Sequence, residues 1–175
     1  MLRFRSGGQS LWLALCIVGL SSVGCSRVSE PTSPKLLAKQ FETFFGFNPP
    51  ATITELRAKT VQIGDTYTDW ISFRCDQAVF AEIANNKGLK VVDADEFWRE
   101  REKSSRGRQS DVPHVAGDNP NAPWWWPMSP ETSFRRLFYH PRQNSPERSS
   151  NHTIDRYFWR DDESGKVFAY YCMSG

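Results

Sequence analysis

Much of the usual machinery of catalysis is missing from this chain of 175 residues. It has no Gly-x-Ser-x-Gly, no P-loop, no Gly-x-Gly-x-x-Gly and no His-Glu-x-x-His, so the common nucleophile, nucleotide and zinc-hydrolase signatures are excluded. Its few histidines, His114, His140 and His152, stand at separations that fit no compact metal motif and read as surface imidazoles. No Cys-x-x-Cys occurs, and no metal or other cofactor is expected. Long apolar runs are also scarce. The run Leu11–Leu20, LWLALCIVGL, would reach about 15 Å as a helix, roughly half the hydrocarbon core of a bilayer, so it is too short for a lasting transmembrane anchor.

What precedes and follows that run gives it a different meaning. Arg3 and Arg5 stand before it without an acidic residue, as in the charged start of an export signal. After it comes Ser22-Val23-Gly24-Cys25-Ser26, which resembles a bacterial lipobox, where small residues precede a cysteine that is acylated and exposed by cleavage. Lipoboxes usually carry Leu, Val or Ile where this chain has Ser22, while Val23 and Gly24 conform. The resemblance covers the export segment alone. It implies that residues 1–24 are a signal peptide, that Cys25 becomes the lipid-bearing (palmitate-type) first residue, and that the product is a cell-envelope lipoprotein. Ser26 in place of aspartate implies sorting to the outer membrane, facing the periplasm, in a Gram-negative cell. An ordinary signal peptide cleaved near Gly24 is the alternative, and it also exports the domain.

Export changes the charge balance. The chain has 22 Lys and Arg against 20 Asp and Glu, and removal of Arg3 and Arg5 leaves 20 against 20. A neutral domain lacks the basic field that drives non-specific nucleic-acid binding, so no nucleic-acid partner is expected. Of the four cysteines, Cys16 lies in the leader and Cys25 is assigned to lipid, which leaves Cys75 and Cys172. In an oxidising compartment the expectation is one Cys75–Cys172 disulfide, closing a loop of about 100 residues and stabilising the domain by roughly 4–5 kcal/mol.

Residues 25–34 are polar, contain Pro31 and Pro34, and read as a tether. Residues 35–175 suit one domain. A helix is expected over Lys35–Phe45, with Ser33 as N-cap, Pro34 in its first turn and Gly46 as its stop. Runs Thr52–Ile63 and Tyr67–Cys75 around Gly64-Asp65 form a hairpin, and Thr153–Arg160 with Lys166–Cys172 form a second. Between them, Asp76 starts a helix to about Lys87 and Gly88, Leu89–Val92 is strand-like, and Asp93 starts a helix to about Lys103. Residues 104–133 read as a long irregular loop rich in proline, and Phe134–Tyr139 fits either a strand or a helical turn. The expected fold is α+β: an antiparallel sheet of about four to six strands built from two hairpins, with two or three helices packed on one face. Ile71, Phe73 and Cys75 share a face of one strand, and Phe168, Tyr170 and Cys172 a face of another; if those faces coincide, the two thiols meet.

The candidate binding feature is Pro123-Trp124-Trp125-Trp126-Pro127, since exposed indoles flanked by polar side chains stack on sugars or insert at a lipid interface. Burial of Trp124 and Trp126 as staples for the loop is the competing expectation. Asp161-Asp162-Glu163 reads as a charged turn tip rather than a cation site. The preferred function is a non-enzymatic envelope lipoprotein binding a protein or glycan partner. The alternatives are a small periplasmic hydrolase or lyase using Asp111, His114, Asp118 and His140, and a purely structural envelope component.

Overall fold

The computed structural model describes residues 26–85, 89–107, 119–127, 134–140 and 153–174. The helices begin where the sequence signals them. Ser33 is extended, and its hydroxyl accepts the Leu36 amide, one of the donors that a helix start leaves free. Helix α1 runs Pro34–Phe45 and ends at Gly46, whose φ of 81° is a backbone state that glycine adopts without strain. Asp76 caps α2 (Gln77–Ala84) by accepting the Val79 amide at 2.8 Å. Helix α2 is one turn shorter than expected, and Gly88 lies outside the described residues. Helix α3 (Ala94–Ser105) follows Asp93 and carries Asp95 and Glu96 in its first turn, where their charge complements the helix dipole.

The strands are β1 (Ser26–Ser29), β2 (Thr54–Ile63), β3 (Thr66–Arg74), β4 (Lys90–Asp93), β5 (Arg136–His140), β6 (Thr153–Arg160) and β7 (Lys166–Ser174). They form one antiparallel sheet in the order β1-β2-β3-β7-β6-β5-β4. The α+β class is therefore as expected. Gly64, at φ 56°, turns the β2–β3 hairpin. In the β6–β7 turn the Asp161 carboxylate accepts the Glu163 and Ser164 amides, which makes this acidic tip a turn-former.

The sheet has seven strands, above the expected four to six, because β1 comes from the segment read as a tether. Ser26–Ser29 pairs with Ile63–Thr60. All four residues of β1 are exposed, so no apolar alternation marks the strand, and its stability comes from the backbone ladder. Phe134–Tyr139, ambiguous in sequence, contains most of β5.

Both faces of the sheet are covered, which corrects the expectation of helices on one face only. On the first face, α1 and α2 bring Phe41, Phe44, Phe45 and Phe80 onto Ile71, Phe73, Phe158 and Ala169. On the second, α3 and the tryptophan segment cover Trp70, Leu137, Tyr157, Trp159, Phe168 and Tyr170. Register explains the division. Ile71 pairs with Ala169 and Trp70 with Tyr170, so Ile71, Phe73 and Cys75 lie on the opposite face from Phe168, Tyr170 and Cys172.

That register separates the two cysteines expected to be bridged. Cys172 pairs with Thr68, whereas Cys75 follows Arg74, the partner of Lys166, so they lie at opposite ends of the β3–β7 ladder. At about 3.3 Å per residue the gap is roughly 20 Å, well beyond the ~7 Å between Cα atoms that a disulfide tolerates. Both are free thiols. Cys75 is buried, and burial pushes its thiol up to about 11. Cys172 is half-buried and takes a hydrogen bond from the Thr68 hydroxyl at 3.6 Å. Under non-reducing conditions both should therefore react with a thiol reagent after denaturation, and Cys172 ahead of Cys75 in the folded domain. A non-reduced digest containing a Cys75–Cys172 linked peptide would contradict this arrangement.

Candidate functional site

Two asparagines and a lysine fix the tryptophan segment to the second face of the sheet. Lys59 of β2 donates to the Asn121 carbonyl at 2.8 Å, and Asn119 accepts the Asn121 amide through its side chain and the Ala122 amide through its carbonyl, each at 2.9 Å. The chain then turns through Pro123, whose carbonyl accepts the Trp126 amide. This puts the three indoles in three environments. Trp126 is 3% exposed, with its ring edge-on to Trp159 at 5.2 Å and to Phe168 at 5.7 Å. Trp125 is 7% exposed, and its indole N–H donates to Glu30 at 3.1 Å, tying the segment to the chain between β1 and α1. Trp124 is 82% exposed, with the Arg57 guanidinium 4.9 Å from its ring centroid.

The binding candidate of three tryptophans thus reduces to Trp124. Trp125 and Trp126 are core, a different pair from the Trp124 and Trp126 staples weighed in the competing reading. Beside Trp124 lies a cleft of ≈ 460 Å³. Trp124 and Trp125 form one wall, Leu37 and Leu56 contribute from the first-face side, and Glu30, Pro31 and Thr32 also line it. Ala58 and Arg57 belong to β2, and among the described residues no strand flanks β2 there, because β1 pairs only with Thr60–Ile63. The pairing of β2 with β3 is itself irregular between Thr54 and Arg57, where Glu55 has φ 53°. An aromatic plane, a cation, a carboxylate and apolar side chains around an open strand edge are the means of holding a partner.

Comparison with protein-family models, with curated proteins and with solved structures returns no match.

A second polar feature crosses the first face and was not foreseen. The register aligns Thr60, Asp69, Tyr171, Arg156 and His140 in one transverse row over β2, β3, β7, β6 and β5. Gln40 of α1 donates to Asp69 at 2.9 Å and also to Thr60, whose hydroxyl in turn donates to Asp69. Arg156 lies 5.2 Å from the Tyr171 ring and 5.5 Å from Phe44 of α1. The row is a seam that seats α1 on the sheet. Its signal in the sequence is Asp69 itself, a carboxylate in a strand whose neighbours are mostly buried.

Burial raises the Asp69 carboxyl above the usual carboxylate range, against the lowering effect of Thr60, Tyr67, Gln40 and Arg156. The native state therefore binds the Asp69 proton more tightly than the unfolded chain, and the domain gains stability as pH falls toward the ordinary value near 4. His140 acts in the opposite direction. Burial and Arg156 lower it, so its contribution is lost as pH drops below about 6.5. Asp69→Asn, which keeps an acceptor for Gln40 and Thr60, should equal or exceed the parent in stability at pH 7 and lose the acid-side gain. Urea midpoints at pH 7 and pH 5 read both effects, and a large loss at pH 7 would show that the ionised carboxylate is required.

The acid and histidine set of the hydrolase alternative is not brought together among the described residues. Asp111, His114 and Asp118 lie outside them, as does His152, while His140 stands in β5 beside Arg156. Asp162 is engaged with Arg135 and Arg160. Among the described residues no three His, Cys, Asp or Glu side chains form a metal-binding group. No helix among them is long and apolar enough to cross a membrane. Cys25, the expected lipid site, precedes the first described residue.

Proposed function

We propose that this chain is a cell-envelope lipoprotein, anchored through Cys25, whose domain binds a protein or glycan partner in the Trp124 cleft without catalysing a reaction. The observation that carries the binding reading is the exposure of Trp124 beside two buried neighbours of the same segment: 82% against 7% and 3%. Burying the other two indoles contributes to folding; leaving this one in water has no such return, and tryptophan in that position is a common anchor of interfaces.

The anchor reading is compatible with this placement. β1 begins at Ser26, the residue after Cys25, so the chain has little slack, and pairing places Ser26 beside Ile63. Arg57 lies six residues away along β2, about 20 Å at the usual rise, so the cleft stands clear of the anchored end. Outer-membrane placement facing the periplasm remains the expectation from Ser26.

The test is capture from an envelope extract by the full-length protein, solubilised in mild detergent, with and without Trp124→Ala. The domain must keep Ser26–Ser29, since these residues complete the sheet edge. Loss of an exposed indole from a binding centre should weaken capture by roughly 30-fold. Equal capture by both proteins would remove Trp124 from the interface.

A further inference from the structure

We infer that a second cleft, between α1 and the β1–β2 edge, receives the anionic head group of a membrane phospholipid. This inference rests on the anchor reading above. The cleft measures ≈ 320 Å³ and is lined by Arg27 and Ser29 of β1, Lys39 and Gln40 of α1, and Gln62 and Tyr67 of the β2–β3 hairpin, among others. That volume is at the small end for ligand sites and suits a head group better than a large solute.

Charge sets the sign of the occupant. Two cations line the cleft and no Asp or Glu does. Asp69, the nearest carboxylate in the seam, is already held by Gln40 and Thr60. Guanidinium offers a phosphate two parallel donors and ammonium a point charge, while the Gln62 and Ser29 side chains supply further hydrogen bonds. The site therefore fits a monoanionic phosphodiester with hydroxyl groups near it.

Location sets the source. Arg27 is two residues from Cys25, so an acylated Cys25 would hold this edge within about 7 Å of the lipid-bearing residue. An exposed apolar side chain accompanies it: Leu36 lines the cleft at 55% exposure, while Val28 and Ile63, at 61% and 48%, belong to the opposite face of the same sheet edge. Beside water Leu36 is idle; beside lipid it enters the interface while Arg27 and Lys39 meet the phosphate.

The experiment uses the full-length protein purified from membranes in a non-ionic detergent, with the mass of its N-terminal peptide measured first. Thermal unfolding is followed on adding phosphatidylglycerol, phosphatidylcholine or inorganic phosphate at equal concentration. Phosphatidylglycerol should raise the midpoint by about 3 °C, since a ligand that binds only the native state stabilises it. Phosphatidylcholine and inorganic phosphate should have little effect, and Arg27→Gln/Lys39→Gln should abolish the shift. Lys90→Gln/Arg135→Gln, which removes equal charge at the other edge of the sheet, should retain it. Equal shifts with all three additives, or a shift unchanged in Arg27→Gln/Lys39→Gln, would overturn the inference. A shift from inorganic phosphate matching that from phosphatidylglycerol would identify a free-anion site and overturn it as well. An N-terminal peptide without lipid would refute the anchor reading by a separate measurement, and the assignment of the cleft to membrane phospholipid would fall with it.

Discussion

Trp126→Ala should destabilise the domain by about 3–5 kcal/mol, whereas Trp124→Ala should change its stability by no more than about 0.5 kcal/mol. The two residues are neighbours in one short segment and differ only in where the fold puts them. Trp126 touches Trp159, Phe168 and Tyr170 from three different strand positions, so truncation leaves a hole that the paired strands cannot close. Its indole N–H has no partner among the described residues, which makes the loss one of packing rather than of a hydrogen bond. Trp124 contacts Arg57 in the open, where water replaces the lost face at little cost. Urea denaturation of the two variants reads the difference directly. Similar midpoints would mean that the segment is not fastened to the sheet as described.

The second large effect concerns the anchor. In a bacterial host, the full-length chain should incorporate labelled palmitate, and Cys25→Ser should lose that label completely while the unprocessed precursor accumulates. Incorporation is the proper readout, because an uncleaved leader can keep the variant with the membrane through Leu11–Leu20. Absence of label from the parent protein would refute lipidation, and unchanged label in the variant would place the lipid elsewhere.

Local signals in this sequence were dependable where the physics is local. Ser33, Pro34 and Gly46 bound α1, and Asp76 starts α2, because each acts on backbone groups within four residues. Gly64 and Gly165 mark the two hairpin turns through a positive φ. The seam of Thr60, Asp69, Tyr171, Arg156 and His140 carried only one local mark, the carboxylate of Asp69 within a buried strand. Its members lie up to about a hundred residues apart and become neighbours only through the ladder. Strand β1 was missed for the converse reason, since a fully exposed edge strand needs a partner but no apolar side chains. The split of Trp124 from Trp125 and Trp126 was hidden as well, because three identical side chains in a row give no periodicity.

By itself the sequence determined the α+β class, the helix starts, the hairpins and which residues of each strand share a face, because alternation and capping are properties of a few consecutive residues. Only the tertiary structure decided which faces of different strands coincide. A shift of one residue in pairing exchanges the two sides of a sheet, and that register sent Cys75 and Cys172 to opposite faces and opposite ends. It also decided that helices cover both faces and that one tryptophan of three is left in water, since these depend on how distant segments fill the same space.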